Sequence, residues 1–362
     1  VTWLLDHHEI HLLLQANPDG RKRVEAGDTW RYWRKNTNLN HCADALWPGV
    51  DLNRNFEFQW ACCDGSSTYE CSEVFHGPGP GSEPETQAIQ NYVRALFPDQ
   101  REDALSAAAP ITTTGVFLDI HSYGELVMWP WGARETPAPN NTALQTLGRK
   151  LAYFGQYSPQ QGSFLYVADG TTDGFAYGEL GLAAYTFEVG PTESSFFPDC
   201  GTFENTILPD NLPALVYAAK VARTPYVTPA GPETLGPVVT PDTVTLGASV
   251  QLTAIVDDTR YSDTNGAEPT QEIAAAEYYI GASPAITLAT AIAHPMTATD
   301  GAFNEQVETV QGSIDTADLG LGRHTIFVRG LDTDNNWGAF SAAFLHIVGT
   351  NHSYLPIITR QD

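Results

Sequence analysis

The chain has 362 residues, 42% of them hydrophobic and 11% aromatic, which is enough for two globular domains and too apolar for a disordered chain. Its net charge of −25 disfavours a nucleic-acid partner, because an acidic surface repels the phosphate backbone. No run of about 20 apolar residues occurs, so the sequence predicts no membrane span.

The first predicted elements lie before residue 100. Residues 9–15 form an apolar run that is typical of a buried strand, and residues 17–20, Asn-Pro-Asp-Gly, predict the turn that follows it. Ser82 and Glu85 have the spacing of a capping box, and apolar residues at helical spacing follow. A helix is therefore expected after residue 83.

A second strand and a closing helix are predicted further along the chain. Residues 115–120 are almost continuously apolar, as in a strand covered on both faces. Residues 211–222 predict an amphipathic helix with Leu212, Leu215, Val216 and Ala219 on its buried side. Strands that alternate with helices indicate an α/β fold with a mixed central sheet flanked by helices.

The composition changes after residue 226. Residues 227–239 are rich in proline and predict a stiff linker. Residues 240–350 contain short β-type runs separated by turn residues, which is typical of an antiparallel β-sandwich of the immunoglobulin or fibronectin type. Residues 351–362 form a tail in which the segment 353–358 is apolar, and no role is predicted for it. The sequence thus predicts an α/β domain over residues 1–226 followed by an all-β sandwich.

Several short motifs of the first domain could carry chemistry. His121 and Glu188 each end an apolar strand, and in α/β folds the carboxyl end of a strand is the usual place for a functional side chain. Arginines occur in Trp-Arg-Lys at residues 33–35 and in Asp-Leu-Asn-Arg-Asn at residues 51–55. Either arginine could be a solvated surface charge, but a bidentate guanidinium also suits a carboxylate ligand.

The order of these motifs resembles the zinc metallocarboxypeptidases of the carboxypeptidase A/B family, and in particular their secreted bacterial members. The resemblance covers roughly residues 1–224 and includes Asn-Pro-Asp-Gly, the two arginine motifs, His121-Ser122-Tyr123, the segment from Tyr166 to Asp173, and Thr-Phe-Glu at residues 186–188. The interval of 22 positions between Tyr166 and Glu188 agrees with the family pattern without an insertion. The resemblance implies a carboxypeptidase-like α/β domain.

The resemblance implies one zinc ion, held by two histidines and a glutamate with water in the fourth position. His121 matches one of these ligands. The family's other two ligands lie in a His-x-x-Glu element ahead of Asn-Pro-Asp-Gly, and His-x-x-Glu does not occur in these 362 residues. We therefore expect that element to precede Val1 in the intact protein, and the zinc site of this chain to be incomplete.

The resemblance also assigns catalytic and substrate-binding roles. Glu188 is implied as the general base that deprotonates the zinc-bound water, and Arg34 as the cation that stabilises the oxyanion. The implied substrate-binding residues are Asn53, Arg54, Tyr166, Tyr123, Arg31 and Asp173. Asp173 stands at the position that sets side-chain preference, where aspartate suits C-terminal lysine or arginine. A broader preference is the alternative.

All five cysteines (Cys42, Cys62, Cys63, Cys71 and Cys200) lie in the first domain. Cys42 and Cys71 resemble a disulfide pair of the family, and an odd number leaves one thiol unpaired. Disulfides favour an extracellular or periplasmic location, or the cell surface.

Three hypotheses remain at this point. The first is a secreted zinc carboxypeptidase that acts on the C-termini of peptides or proteins. The second is an inactive relative that binds peptide C-termini without the metal. The third is a surface-adhesion module whose β-sandwich contacts the cell surface or glycans.

Overall fold

The computed structural model describes residues 2–27, 32–44, 47–194, 196–281 and 291–349. It divides into two compact units. The N-terminal unit comprises Val1–Ala230 together with Arg260–Pro269, and the C-terminal unit comprises Gly231–Thr259 and Thr270–Asp362. No helix in the described ranges has the length and apolar character needed to cross a bilayer.

The N-terminal unit is an α/β structure. Its strands are β1 (Val116–His121), β2 (Leu126–Trp129), β3 (Ser158–Gln161) and β4 (Ala183–Glu188). Its helices are α1 (Thr2–His7), α2 (Pro18–Glu25), α3 (Pro84–Leu96), α4 (Asn141–Tyr153), α5 (Thr172–Gly178), α6 (Cys200–Thr202) and α7 (Leu208–Val221), with short helical turns at Leu52–Arg54, Gly162–Phe164, Thr192–Ser194, Phe203–Ile207 and Thr228–Ala230.

The four strands form one mixed sheet in the order β1-β4-β2-β3. β1 is parallel to β4, β4 is antiparallel to β2, and β2 is parallel to β3. The predicted mixed α/β sheet is therefore confirmed. The register of β1 on β4 pairs His121 with Glu188, so the carboxyl ends of the two strands lie side by side.

The centre of this unit is the strand β4 and the helices that cover it. Tyr185 and Phe187 of β4 are almost fully buried, as are Phe175 and Tyr177 of α5 and Leu147 of α4. The Tyr185 hydroxyl donates to the Leu144 carbonyl of α4 at 2.9 Å, which satisfies its polar end inside the core. The packed core holds the carboxyl end of β4 in place.

The strand predicted over residues 115–120 is confirmed, but its expected burial on both faces is wrong. β1 is the first strand of the sheet order, so within the described residues it has a neighbouring strand on one side. Its residues are half-buried, and Ile120 is 50% exposed. An apolar run therefore indicated a strand here without indicating a central one.

The strand predicted for residues 9–15 is wrong. The segment has no regular structure, and Leu12, Leu13 and Leu14 are 63–91% exposed. A strand needs a hydrogen-bonding neighbour, and none of the described strands pairs with this segment. The segment has the apolar side chains that are typical of a buried strand, but it lacks a neighbouring strand among the described residues.

Two helix details also differ from expectation. Helix α3 is present, but its N-cap is Glu83 without a side-chain cap, and Ser82 donates to the Glu83 carboxylate instead of capping the helix. Helix α7 buries Ala214, Tyr217, Ala218 and Val221, whereas the predicted residues Leu212 and Leu215 are exposed. The buried stripe consists mainly of small residues, which lets α7 pack closely beside α4.

The C-terminal unit is an all-β sandwich, as predicted. Its strands are β5 (Glu233–Thr240), β6 (Thr243–Thr245), β7 (Ser249–Asp257), β8 (Ile273–Ile280), β9 (His294–Pro295), β10 (Thr297–Ala298), β11 (Val307–Asp315), β12 (Gly322–Asp332) and β13 (Ser341–Val348). They form sheets of order β10-β11-β7-β5 and β6-β13-β12-β8-β9. Alternate residues of both sheets build one core, including Leu252 and Val310 from the first sheet and Ile326 and Leu345 from the second.

The boundary between the units differs from the predicted linker. Residues 233–239, which the sequence analysis placed in a linker over residues 227–239, belong to strand β5. The valines of this segment pair with β7, so the segment forms a strand even though its proline-rich composition predicted a linker. The predicted sandwich boundary at residue 240 is therefore too late by about seven residues, and the tail at 351–362 lies outside the described residues.

Residues 260–269 lie between β7 and β8 in sequence but belong to the N-terminal unit. There the Ser262 hydroxyl donates to the Tyr157 carbonyl at 2.9 Å, and the Asn265 amide donates to the Pro159 carbonyl at 2.9 Å. β3 is the last strand of its sheet, and an edge strand leaves backbone groups unpaired. The loop therefore satisfies carbonyl groups along this edge.

The same loop neutralises a buried arginine of α4. Arg149 is 5% exposed, and its guanidinium donates to the carbonyls of Asn265 and Gly266 and forms an ion pair with Glu268 at 3.3 Å. An unpaired buried charge is strongly destabilising. The N-terminal unit therefore depends on ten residues that follow the first strands of the C-terminal unit in sequence.

We predict that Glu268→Ala lowers the free energy of unfolding by about 3 kcal/mol, because Arg149 then remains buried without its carboxylate partner. Urea unfolding of the whole chain, followed by tryptophan fluorescence, measures the change. Asp263→Ala removes an exposed carboxylate from the same loop and serves as the control. Equal stability of the two variants would contradict a structural role for this loop.

Candidate active site

The candidate site lies where β1 and β4 end together. His121 and Glu188 line an open cleft at this point. The lining of this cleft includes six of the residues predicted from the sequence: Asn53, Arg54, His121, Tyr166, Asp173 and Glu188. The sheet therefore brings together residues that are up to 135 positions apart in the chain.

The imidazole of His121 is held by a carboxylate on its own strand. Nε2 lies 2.9 Å from Asp119 Oδ2, and Nδ1 faces Glu188 Oε1 at 3.8 Å. Asp119 Oδ2 also accepts a hydrogen bond from the Thr172 hydroxyl. In the neutral ring whose Nε2 carries the proton and donates to Asp119, Nδ1 is the unprotonated nitrogen and faces the cleft.

Both groups have shifted pKa values. Burial disfavours the charged form of His121, but the Asp119 carboxylate beside it outweighs this effect and raises the pKa of His121 to about 9. Burial likewise raises the pKa of Glu188, and the charge of His121 offsets part of the rise. A carboxyl group with a raised pKa is a stronger proton acceptor than an ordinary glutamate.

Arg34 and Asn53 share one buried carboxylate. Asp51, whose side chain is 4% exposed, forms an ion pair with the Arg34 guanidinium at 2.8 Å and accepts a hydrogen bond from the Asn53 backbone amide at 3.2 Å. The Asp51 charge raises the pKa of Arg34 above its ordinary value. The Arg34 guanidinium is therefore held by Asp51, while its side chain, which is 42% exposed, remains accessible to a ligand.

Arg54 is buried at the wall of the cleft and 2% exposed. It is the last residue of the helical turn Leu52–Arg54. Its Nε donates to the Gly65 carbonyl at 3.0 Å, and a terminal nitrogen donates to the Asn53 carbonyl at 2.5 Å. The guanidinium also lies 5.7 Å from the ring of Tyr166. A buried, preorganised guanidinium suits a carboxylate ligand.

The remaining predicted substrate residues have different surroundings. Tyr166 is 51% exposed at the cleft, and Tyr123 packs edge-to-face on Phe196 with ring centroids 4.7 Å apart. Asp173, in the first turn of α5, is 5% exposed, and burial raises its pKa. Arg31 lies outside the described residues, so its predicted role stays a prediction.

The described residues do not make a complete zinc site. In the ranges that the structure describes, no group of three or more His, Cys, Asp or Glu side chains could hold a metal ion. A catalytic zinc centre uses three protein ligands and water, and His121 is the one imidazole in the cleft lining.

Sequence reasoning missed two carboxylates of the site. Asp119 lies two residues before His121 on the same strand, and period-2 alternation places both side chains on one face of the sheet. That spacing was a usable signal. Asp51 had a weaker signal, its place two residues before Asn53, because its contact with Arg34 depends on the fold.

The described residues contain two disulfides. Cys42 pairs with Cys71, which agrees with the pair implied by the family resemblance, and Cys62 pairs with its neighbour Cys63. Cys200 is a free, exposed thiol, so the expected unpaired cysteine is present.

Comparison with known proteins gives a consistent picture. A family model of M14 peptidases, described as zinc carboxypeptidases, matches residues 1–210. A zinc carboxypeptidase of Saccharothrix mutabilis subsp. capreolus is 33% identical over 203 residues, which are 54% of this chain and 43% of that protein. Human carboxypeptidase A1 is 32% identical over 198 residues, 53% of this chain and 42% of that protein.

A crystal structure of thrombin activatable fibrinolysis inhibitor is 26% identical with a TM-score of 0.50, over 61% of this chain and 53% of that one. The chain spans less than half the length of the two curated relatives named above.

We predict that Asp119→Asn lowers the pKa of His121 in the metal-free protein, because burial then acts without a carboxylate beside the ring. The wild-type pKa of about 9 exceeds the value of about 6.5 expected for the unfolded chain. The pair therefore stabilises the fold fully below about pH 6.5, and this contribution is lost as the pH rises through about 9.

NMR titration of the His121 ring measures this shift. Asp103→Asn removes an exposed carboxylate and should leave the titration unchanged. A His121 pKa that is the same in wild type and in Asp119→Asn would show that Asp119 does not control the imidazole.

Proposed function

We propose that this chain, which belongs to the family of M14 zinc carboxypeptidases, carries the general base and the substrate-carboxylate site of an enzyme that removes C-terminal residues from peptides or proteins. The observation that carries the proposal is the shared cleft. Its lining includes the buried guanidinium of Arg54 together with His121 and Glu188, which lie at the paired ends of β1 and β4.

Arg54 supports an exopeptidase. A guanidinium with 2% exposure is already desolvated, so it interacts strongly with a free carboxylate that enters the cleft. An internal peptide segment has no carboxylate at this position and would leave the charge without a partner. Tyr166, half-exposed beside Arg54, is in place to cover the bound residue.

Glu188 is proposed as the general base. It accepts a proton from the attacking water and passes that proton to the departing amine, which its raised pKa favours. Arg34, anchored by Asp51, is proposed to stabilise the negative charge that develops on the carbonyl oxygen. Zinc is proposed as the family cofactor with His121 as one ligand.

Asp173 is proposed to favour lysine or arginine at the C-terminus of the substrate. Its carboxyl group lines the cleft and is buried, so a cationic side chain would restore the charged form that burial disfavours. A broader preference remains the alternative.

One observation favours a second candidate, a relative that binds peptide C-termini without cleaving them. The described residues lack a complete group of metal ligands. Zinc content together with peptide turnover separates the two candidates. Turnover with bound zinc supports the enzyme, and binding without zinc or turnover supports the alternative.

The setting of the enzyme is also a proposal. The disulfides Cys42–Cys71 and Cys62–Cys63 favour an oxidising compartment, so we propose an extracellular, periplasmic or cell-surface location. We propose an immunoglobulin- or fibronectin-like relationship for the C-terminal unit, because its two sheets share one core. We also propose that this unit contacts glycans or the cell surface.

We predict that Glu188→Gln lowers peptide turnover by about 10²- to 10⁴-fold, because the amide cannot accept the proton of water. The measurement compares kcat in preparations with equal zinc content. Glu204→Gln changes an exposed glutamate and is the matched control. Normal turnover by Glu188→Gln would remove this residue from the mechanism.

We predict that the wild-type protein binds a peptide with a free C-terminal carboxylate at least about tenfold more tightly than the same peptide with a C-terminal amide, since each bond to a charged group contributes about 1.5–3 kcal/mol. In Arg54→Lys the advantage should shrink, because an ammonium cannot form the bidentate contact. Calorimetry measures both peptides. Equal affinity of wild type for acid and amide would overturn the exopeptidase proposal.

A further inference from the structure

Arg54 is oriented by a turn that neither substrate nor metal touches in the proposed mechanism. Its Nε donates to the Gly65 carbonyl at 3.0 Å, so the plane of the guanidinium follows the position of Gly65. Gly65 belongs to the segment 62–65, which begins with the disulfide between the adjacent residues Cys62 and Cys63. Whatever holds this segment therefore sets the direction of the guanidinium.

Asp169 holds the segment from its other side. Its Oδ2 accepts hydrogen bonds from the backbone amides of Cys63 at 3.0 Å and Gly65 at 3.1 Å. Asp169 is 1% exposed, and such charge-assisted bonds are strong where water is excluded. Within the described residues Oδ1 has no hydrogen-bond partner. The hydrogen bonds of this carboxylate are therefore those to the turn.

The two segments are packed so closely that side chains do not fit between them. A Cβ on Gly65 would lie 2.6 Å from the Asp169 nitrogen, and a Cβ on Gly170, which has φ +64°, would lie 2.4 Å from the Arg54 carbonyl oxygen. Gly170 also accepts a hydrogen bond from the Phe56 amide at 3.0 Å. A shift of Asp169 is thus transmitted directly to the turn and to Arg54.

We infer that Asp169 is a positioning residue for the substrate-carboxylate site: it fixes the turn at residues 62–65, whose Gly65 carbonyl aligns Arg54 with the C-terminal carboxylate of the substrate. The inference rests on the proposed function of Arg54. Asp169 also lies three residues after Tyr166, so one carboxylate connects the segment that carries Tyr166 with the arginine beside it. Asp169 itself is not among the residues that line the cleft.

The test compares binding of acid and amide forms of one peptide to Asp169 variants of the whole chain. Asp169→Ala should weaken binding of the acid form by about tenfold and leave the amide form unchanged. The substitution removes the two hydrogen bonds from the Cys63 and Gly65 amides, so the turn no longer aligns Arg54 with the substrate carboxylate. Asp169→Asn keeps an oxygen that can accept from both amides and should retain most of the preference. Asp64→Asn changes an exposed carboxylate in the same turn and should behave as wild type.

A second measurement does not depend on the substrate. Hydrogen exchange of the Arg54 Nε–H, followed by NMR, should be slow in wild type and in Asp169→Asn, and faster in Asp169→Ala. Asp169→Ser, which cannot reach both amides, replaces the alanine variant if that variant fails to fold, and thermal melting establishes folding.

The outcomes are distinguishable. Loss of the acid preference with faster exchange in the folded alanine or serine variant supports the inference. A folded variant with unchanged acid preference and unchanged Arg54 exchange overturns the inference while the proposed function stands. Equal binding of acid and amide by wild type overturns the proposed function, and with it the inference.

Discussion

The parallel pairing of β1 with β4 is the constraint on which the site depends. Its register places His121 directly opposite Glu188, and a shift by one residue would turn one of the two side chains to the other face of the sheet. The register is held because β4 packs against α5 and donates through the Tyr185 hydroxyl to the Leu144 carbonyl of α4, with Tyr185 and Phe187 in the core. Packing on β4, remote from the cleft, thus determines the distance between a candidate metal ligand and a candidate base.

A second feature is common to three side chains of the site, Arg34, His121 and Arg54. Each is held by a carboxylate that does not face the substrate: Asp51 holds Arg34, Asp119 holds His121, and Asp169 holds Arg54 through the turn at Gly65. Such pairs cost desolvation energy, and they contribute orientation more than stability. Some carboxylates of this strongly acidic chain thus orient the arginines Arg34 and Arg54 of the candidate site.

Local sequence predicted those features that depend on short-range pattern. The strand ending at His121, helix α3 and the mixed α/β class follow from apolar periodicity, and the Cys42–Cys71 disulfide follows from the family resemblance. Features that depend on which strand or helix packs beside a segment could not be predicted in this way. Residues 9–15 have the composition of a strand without a strand partner, and α7 buries Ala214, Tyr217, Ala218 and Val221 in place of its leucines.

The site shows the same division. The motifs contain Asn53, Arg54, Tyr166 and Glu188, which the structure places in the lining of one cleft, while their roles stay predictions. The supporting carboxylates Asp51, Asp119 and Asp169 lie within the recognised segments, but nothing in those segments predicted a role for them. Asp169 acts through backbone amides that are 104 and 106 positions away, and such a contact has no local signal. The C-terminal unit likewise gave no sequence signal that residues 260–269 would complete the N-terminal unit.

The most direct measurement is a crystal structure of the protein with a slowly cleaved peptide that has a free C-terminus. The account predicts that the terminal carboxylate lies within hydrogen-bonding distance of Arg54, and that the last peptide bond lies between His121 and Glu188. A peptide bound with its carboxylate away from Arg54, or with an internal segment in the cleft, would contradict the account.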